Sequence, residues 1–267
     1  MLQNGTFCAI IADTDSTFYP EETMPKFFIA GTNIKGGMAI MKGKDAEHAH
    51  VLRLRPGDDV IICDGEGTDY KCHIVTADKE ELQAEVIEVK PCTAEPSVKV
   101  TLLCGLPKGS DRAEYIIQKG VEAGASEICF FLSRYCVSKP ESPDKKLERW
   151  NRIAEEAAKQ SGRGIIPTVS WTGELADAFN VALSRDLGLF MYETGERESL
   201  NSVLDNCRDI KTAAIITGPE GGFAEYEADL ARIAGLHVCS MGERILRCET
   251  APIVALSALM YSTGNLA

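Results

Sequence analysis

The stretch Ala213-Ala-Ile-Ile-Thr-Gly-Pro-Glu-Gly-Gly-Phe223 passes from small and branched apolar residues straight into a glycine-rich turn. An apolar run of that kind suits a strand buried on both faces, as in a parallel sheet covered by helices. A helix follows over about Tyr226–Ala234. Three glycines in the turn let the backbone take positive φ and pass close to a ligand. Amides left open at a helix start favour a polar or anionic group. On shape alone a purely structural turn serves equally well.

The same texture extends on both sides. Val98–Leu106 is a nearly unbroken apolar run and reads as a buried parallel strand. Ser110 is expected to cap a helix running to about Ala123, with Asp111 in its first turn and Gly124 ending it. Glu127–Ser133 is the next strand. Ser142-Pro143 is expected to open a long helix whose Leu147, Trp150, Ile153, Ala154, Ala157 and Ala158 share one apolar face, with Gly162 stopping it. On that stripe Trp150 reads as core rather than as a stacking platform. Further strands are expected at Leu187–Glu193, Ala213–Thr217 and His237–Met241, and a last helix at Ile253–Tyr261. Alternating strands and helices over this length mean an α/β domain with a mostly parallel sheet.

Residues 24–90 read differently. Asp59-Val-Ile-Ile-Cys-Asp64, Tyr70–Thr76 and Leu82–Val89 are strands separated by Gly65-Glu-Gly67 and by Ala77–Glu80, a meander best read as a small β-barrel. Pro91 and Pro96 mark a linker. The expected organisation is an N-terminal extension over 1–23, a β-barrel domain over 24–92 and the α/β domain over 97–267. The first 23 residues hold Asp13, Asp15, Glu21 and Glu22 but no Lys or Arg, unlike a secretory or transit peptide, and Met24 is a plausible native start.

Three strand ends are expected to meet in one crevice. They are Tyr192-Glu193, the glycine turn after Thr217, and Met241-Gly-Glu-Arg-Ile-Leu-Arg-Cys-Glu-Thr-Ala251, with Thr250 placed as an N-cap. In open α/β sheets ligands bind beyond the carboxyl ends of strands, so two arginines and two glutamates gathered there point to a working site. The sequence carries no G-x-G-x-x-G, no P-loop, no G-x-S-x-G and no H-E-x-x-H.

Charge narrows the partner. The 267 residues carry a net charge of −12, which opposes a broad nucleic-acid grip. Residues 98–166 nevertheless hold 12 Lys and Arg against 9 Asp and Glu, leaving room for a narrow RNA footprint. Ten cysteines, none in a C-x-x-C pair, sit mostly in apolar runs and read as reduced core residues of a cytoplasmic protein. No metal is expected: His48 and His50 have no matched ligands nearby. No run reaches the ~18 apolar residues of a membrane helix, so no membrane is expected.

From Met24 on, the chain resembles the bacterial 16S ribosomal RNA uridine-N3 methyltransferases (RsmE type) of the SPOUT class. The resemblance rests on the order and spacing of several pieces. They are Pro25-Lys-Phe-Phe-Ile29, His50-Val-Leu-Arg-Leu-Arg-Pro-Gly-Asp58, Lys108 with Asp111-Arg112, Glu114 and Ile117-Gln-Lys119, then Arg149-Trp150, Gln160-Ser-Gly-Arg163, Pro167, Gly218–Gly222 and Gly242–Arg247. It implies a trefoil-knotted SPOUT methyltransferase domain behind a PUA-like β-barrel, a homodimer, and a 16S rRNA substrate in the small ribosomal subunit. It also implies S-adenosyl-L-methionine as cofactor, held by Tyr192 and Glu193, by Thr217, Gly218, Pro219, Glu220, Gly221 and Gly222, and by Met241, Gly242, Ile245, Leu246 and Arg247. Two positions depart from the family: Cys248 stands where Thr is usual, weakening a hydroxyl hydrogen bond, and Lys26 stands where Arg is usual, losing a phosphate fork.

Methylation of uridine N3 requires removal of its proton, and charge then spreads onto the flanking carbonyl oxygens. Arg247 is the first choice to stabilise that charge, with Arg112, or Arg134 from a second subunit, as alternatives. Glu249 or Glu220 is the expected proton acceptor, unless water serves. Lys26, Arg53, Arg55, Lys108, Arg149, Arg152 and Arg163 are the expected RNA contacts, Arg53 and Arg55 sharing a face if their segment is extended. Three other readings remain open: a SPOUT enzyme acting at another RNA site, a catalytically silent RNA-binding protein, and an unrelated α/β enzyme with an acidic small-molecule pocket.

Overall fold

The computed structural model describes residues 24–29, 31–138, 143–206 and 209–266. The chain divides into two compact units, Met1–Pro91 and Cys92–Ala267.

In the first unit β1 (Lys26–Phe28), β2 (Ile34–Lys35), β3 (Met38–Lys42), α1 (Lys44–Val51), β4 (Asp59–Cys63), β5 (Thr68–Ala77) and β6 (Glu81–Pro91) follow in order. The strands form one sheet, β1-β4-β5-β6-β3-β2, antiparallel except where β1 runs parallel to β4. Alternate residues point inward, so Val60, Ile62, Cys72, Ile74, Leu82 and Ala84 build a common core with Phe27 and Met41. α1 escaped the sequence reading because only Ala46 and Ala49 of its eight residues are buried, and two alanines make no visible stripe. The segment of Arg53 and Arg55 is not extended. It is the turn leaving α1, with Arg53 at φ 59, so strand alternation does not place these two arginines on one face.

The second unit carries β7 (Lys99–Gly105), α2 (Ser110–Glu122), β8 (Glu127–Leu132), α3 (Pro143–Gln160), β9 (Thr168–Glu174), α4 (Leu175–Leu183), β10 (Leu187–Met191), β11 (Glu198–Ser199), α5 (Leu200–Leu204), β12 (Thr212–Thr217), α6 (Glu225–Ala234), β13 (His237–Ser240) and α7 (Ala251–Ser262). Its seven strands lie in the order β11-β13-β10-β12-β7-β8-β9, and every adjacent pair is parallel. The central strands read as apolar runs because both faces are covered. Phe131, Phe190 and Phe223 stack in one core, the last two with ring centroids 4.3 Å apart.

Ser110 is the first residue of α2 rather than its cap: Gly109 holds that position and no side chain caps the end. Ser142, expected to cap α3, lies outside the described residues. Thr250 does stand at the N-cap of α7, yet its hydroxyl makes no capping bond. Trp150 is buried against Phe130. β9, α4, β11 and α5 were not anticipated. β9 is an edge strand laced with polar residues, α4 opens on Glu174 and Asp177 instead of Ser or Thr, and the other two are very short.

Arg163 was expected to reach RNA, and its environment rules that out. Only 3% exposed, it donates to both Glu95 carboxylate oxygens at 2.9 and 2.8 Å, and to the carbonyls of Val121 and Ala125. Glu95 also accepts the amides of Gly164 and Ile165. The guanidinium therefore ties residue 95 to the ends of α2 and α3, and four of its five N–H groups are engaged inside the fold. Burial alone would raise the Glu95 carboxyl, but Arg163 and the two amides hold it below the ordinary 4.5.

Arg163→Met is expected to lower unfolding stability by about 3 kcal/mol in urea titrations, by stranding a part-buried carboxylate. A folded-state pKa below 4.5 means that the stabilisation from Glu95 is complete above that pH and is lost as pH falls through the depressed value. Acid titration should accordingly be steeper for the wild type than for Glu95→Gln.

Candidate active site

β12, β10 and β13 are neighbours and parallel, so their carboxyl ends open on the same edge of the sheet. There they enclose a cleft of about 330 Å³, within the range of small-molecule sites. Tyr192 and Glu193 follow β10, Gly218 to Glu220 and Gly222 follow β12, and Met241, Gly242 and Ile245 to Glu249 follow β13; all line it. Thr217 and Arg112 complete the wall. Of the residues expected around a ligand only Gly221 lies off this lining. Met191, Cys239 and Ser240 also line it and were not singled out, because uncharged strand-end residues carry no distinctive signal; Arg244 and Ala251, from the charged segment after β13, line it too.

Close packing sets the shape of the turn after β12. A Cβ on Gly105, at the end of β7, would stand 2.6 Å from Pro219 Cδ, so only glycine lets the turn approach there. Gly222 sits at φ 66, and a side chain on it would overlap the Glu193 carboxylate. Phe223, anchored in the core, closes the turn. Thr217 Oγ1 is buried at the cleft wall without a hydrogen-bond partner among the described residues, the weakly polar Cys104 thiol being beside it. A buried hydroxyl in a cleft wall, with only a thiol beside it, can bond a ligand's polar group.

Arg112, from the first turn of α2, reaches across to the other two loops. It pairs with Glu220 Oε1, which also accepts the Lys108 amide at 2.8 Å, and its Nε lies 3.7 Å from Glu249 Oε2. Pairing with Glu220 raises the Arg112 pKa further, so the charge is permanent. Arg247 is different: 82% exposed, it approaches Glu249 Oε1 only at 4.0 Å. Partial burial would raise the Glu249 carboxyl, but its own backbone amide, the Cys248 thiol and the two arginines outweigh that and hold it low. Cys248 donates to Glu249 Oε2 at 3.2 Å, and burial pushes its thiol up to about 12. A hydrogen-bond donor therefore persists at position 248, although it is a thiol.

The expected RNA contacts fall in two groups. Arg53, Arg55, Lys108, Arg149 and Arg152 are exposed, with Arg149 and Arg152 three residues apart on α3 and Arg149 held by Glu114 at 2.8 Å. Lys26 is not available: 11% exposed, its ammonium is 2.8 Å from Asp69. Arg134 is exposed but does not line the cleft of its own chain. Among the described residues no cluster of three His, Cys, Asp or Glu side chains suits a metal, and no helix is long and apolar enough to cross a membrane.

Residues 94–260 match a family described as an RNA methyltransferase domain, and residues 42–87 match an RNA methyltransferase PUA domain. The chain is similar to ribosomal RNA small subunit methyltransferase E of Bacillus subtilis, 35% identical over 84% of this chain and 90% of that one. The Mycobacterium bovis protein of the same name is 31% identical over 90% of this chain and 92% of that one. A crystal structure of the Neisseria gonorrhoeae protein of that name, bound to S-adenosyl methionine, superposes with a TM-score of 0.77 at 28% identity, covering 89% of this chain and 97% of that one.

A thiol held near 12 is a poor nucleophile. Iodoacetamide at pH 8 is expected to modify Cys136, which is part-exposed, at least tenfold faster than Cys248 in the native protein, with the difference vanishing in urea. Peptide mass spectrometry reads both rates.

Proposed function

The chain belongs to the RNA methyltransferase family that includes ribosomal RNA small subunit methyltransferase E, and on that premise we propose that it methylates N3 of a uridine in 16S RNA of the small ribosomal subunit, using S-adenosylmethionine. The observation that carries this reading is the meeting of three strand ends, three arginines and an ionised Glu249 in one cleft.

The cleft residues fit the cofactor. Its adenosine and methionine parts need backbone partners at close range, and the turn over Gly218–Gly222 and the loop at Leu246 offer them. The Thr217 hydroxyl would add a polar contact, and Glu193 adds an acidic side chain to the lining that would suit a cationic ligand. When bound, the cofactor supplies an already activated methyl group; the protein's task is to position two reactants and manage one proton.

Arg112 is engaged by Glu220 and Glu249, so it positions those loops more than it meets substrate. Arg247, exposed at the mouth, can stand beside the uracil carbonyl oxygens as negative charge develops. Glu249 is kept ionised and can take the N3 proton.

The same reading makes the first unit an RNA-binding module presenting Arg53 and Arg55, and places the protein in the cytoplasm, where ribosomes are assembled. It threads the segment between β13 and α7 through a knot. It also pairs two copies. α7 carries no charged residue from Ala251 to Ser262, yet leaves Val254 and Tyr261 exposed, and a helix apolar on all sides is suited to burial against a second copy. Arg134 of one copy would then be available to the other's cleft. With a net charge of −12, the substrate is recognised as assembled RNA shape rather than by nonspecific attraction.

Small subunits from a strain lacking this methylation, incubated with the protein and labelled S-adenosylmethionine, are expected to yield 3-methyluridine in 16S RNA. Arg247→Ala should lower kcat by about 10²- to 10³-fold while cofactor affinity changes less than about threefold. A variant that retains full turnover removes Arg247 from the chemistry.

A further inference from the structure

Glu227 is a carboxylate with only 3% exposure on α6, and nothing in the methylation chemistry above uses it. Its two oxygens have separate tasks. Oε2 accepts the Ala224 amide at 2.8 Å and closes the start of α6. Oε1 accepts the Arg134 amide at 2.9 Å, from the loop that follows β8, 93 residues away in sequence. Burying a carboxylate is costly unless its bonds matter to the native arrangement, so this loop is held in place deliberately.

The loop is a tight turn. The Cys136 amide donates to the Ser133 carbonyl at 3.2 Å, and the Cys136 thiol bonds back to Ser133 and to the Phe131 carbonyl. What it shows to solvent is Arg134, Tyr135 at 46% exposure and Val137. Tyr135 rests on the glycine turn: a Cβ on Gly221 would stand 2.8 Å from Tyr135 Cβ and 3.3 Å from Cγ. Gly218, Glu220 and Gly222 of that same turn line the cleft, so Tyr135 is seated on the turn that borders it. A half-exposed aromatic on a loop whose backbone is tied to α6 is suited to receive an unstacked base in single-stranded RNA.

We propose that Tyr135 is a base-stacking platform that receives a nucleotide flanking the methylated uridine, and that Glu227 is the positioning residue that fixes its loop to the start of α6. This rests on the methyltransferase reading and adds to it a specificity-determining contact. It also explains why the loop is tied to α6 rather than left to move.

The test uses the full-length protein with unmethylated small ribosomal subunits, and compares wild type, Tyr135→Phe and Tyr135→Leu. Subunit affinity is read by filter binding, methyl transfer by label incorporation, and S-adenosylmethionine affinity by calorimetry. Leucine keeps the contact with Gly221 but has no aromatic face; phenylalanine keeps both. The expected result is a KM for subunits raised about tenfold or more in Tyr135→Leu, near-wild-type values in Tyr135→Phe, and cofactor affinity within about twofold in both. Equal behaviour of Leu and Phe, or a loss of cofactor affinity matching the rise in KM, overturns the platform and leaves Tyr135 a packing residue. A wild type that transfers no methyl group, but whose subunit affinity still falls in Tyr135→Leu, overturns the methylation reading and keeps the platform. A wild type that does not bind the subunit overturns both.

Discussion

Parallel pairing of β10 with β12 on one side and β13 on the other obliges three loops to leave the sheet from a single edge. Parallel neighbours require crossovers, here the helices, and those crossovers return each chain segment to start again from the opposite edge. Everything chemically distinctive in the second unit is therefore delivered to one place: the glycine turn, the Glu193 carboxylate, and the loop with Arg247 and Glu249. Phe223 plugs the turn into the core beside Phe190, so the position of the cleft depends on the same apolar packing that stabilises the sheet.

The charge pattern follows from that geometry. Arg112 comes from α2, between β7 and β8, and inserts a permanent positive charge between Glu220 and Glu249. It joins the turn after β12 to the loop after β13 by one side chain. With it Glu249 is held below the ordinary carboxylate range, and Arg247 stays largely in solvent. A chain with a net charge of −12 thus gathers three arginines at one cleft. Arg163 shows the opposite use of the same side chain: its donors are spent on Glu95 and on carbonyls at the end of α2.

Much of the sheet was legible because its central strands are covered on both faces. Val98–Leu106 and Ala213–Thr217 could hardly read otherwise. The edge strand β9 was not legible, since one-sided burial leaves polar residues such as Thr168, Ser170 and Thr172 in place. α1 was not legible because alanine fills its core-facing positions. The convergence of Tyr192-Glu193, Gly218–Gly222 and Met241–Arg247 could be argued from strand–helix alternation alone, because parallel topology leaves those loops no other edge. Arg163 and Lys26 show where that reasoning stops. A basic residue in a sequence looks the same whether its partner is a phosphate or a carboxylate 68 or 43 positions away.

What the sequence determined by itself was the α/β architecture, the order of its strands along the chain, and the identity of the three loops that carry polar chemistry. Apolar periodicity and glycine placement are local properties and can be read locally. What only the tertiary structure decided was which charges are spent and which remain available. Arg112 bridges two glutamates, Glu227 holds a turn 93 residues away, and Tyr135 rests on Gly221 because folding brings distant residues within a few ångströms. Pairing energies depend on distance and burial, and neither exists until the chain has closed on itself.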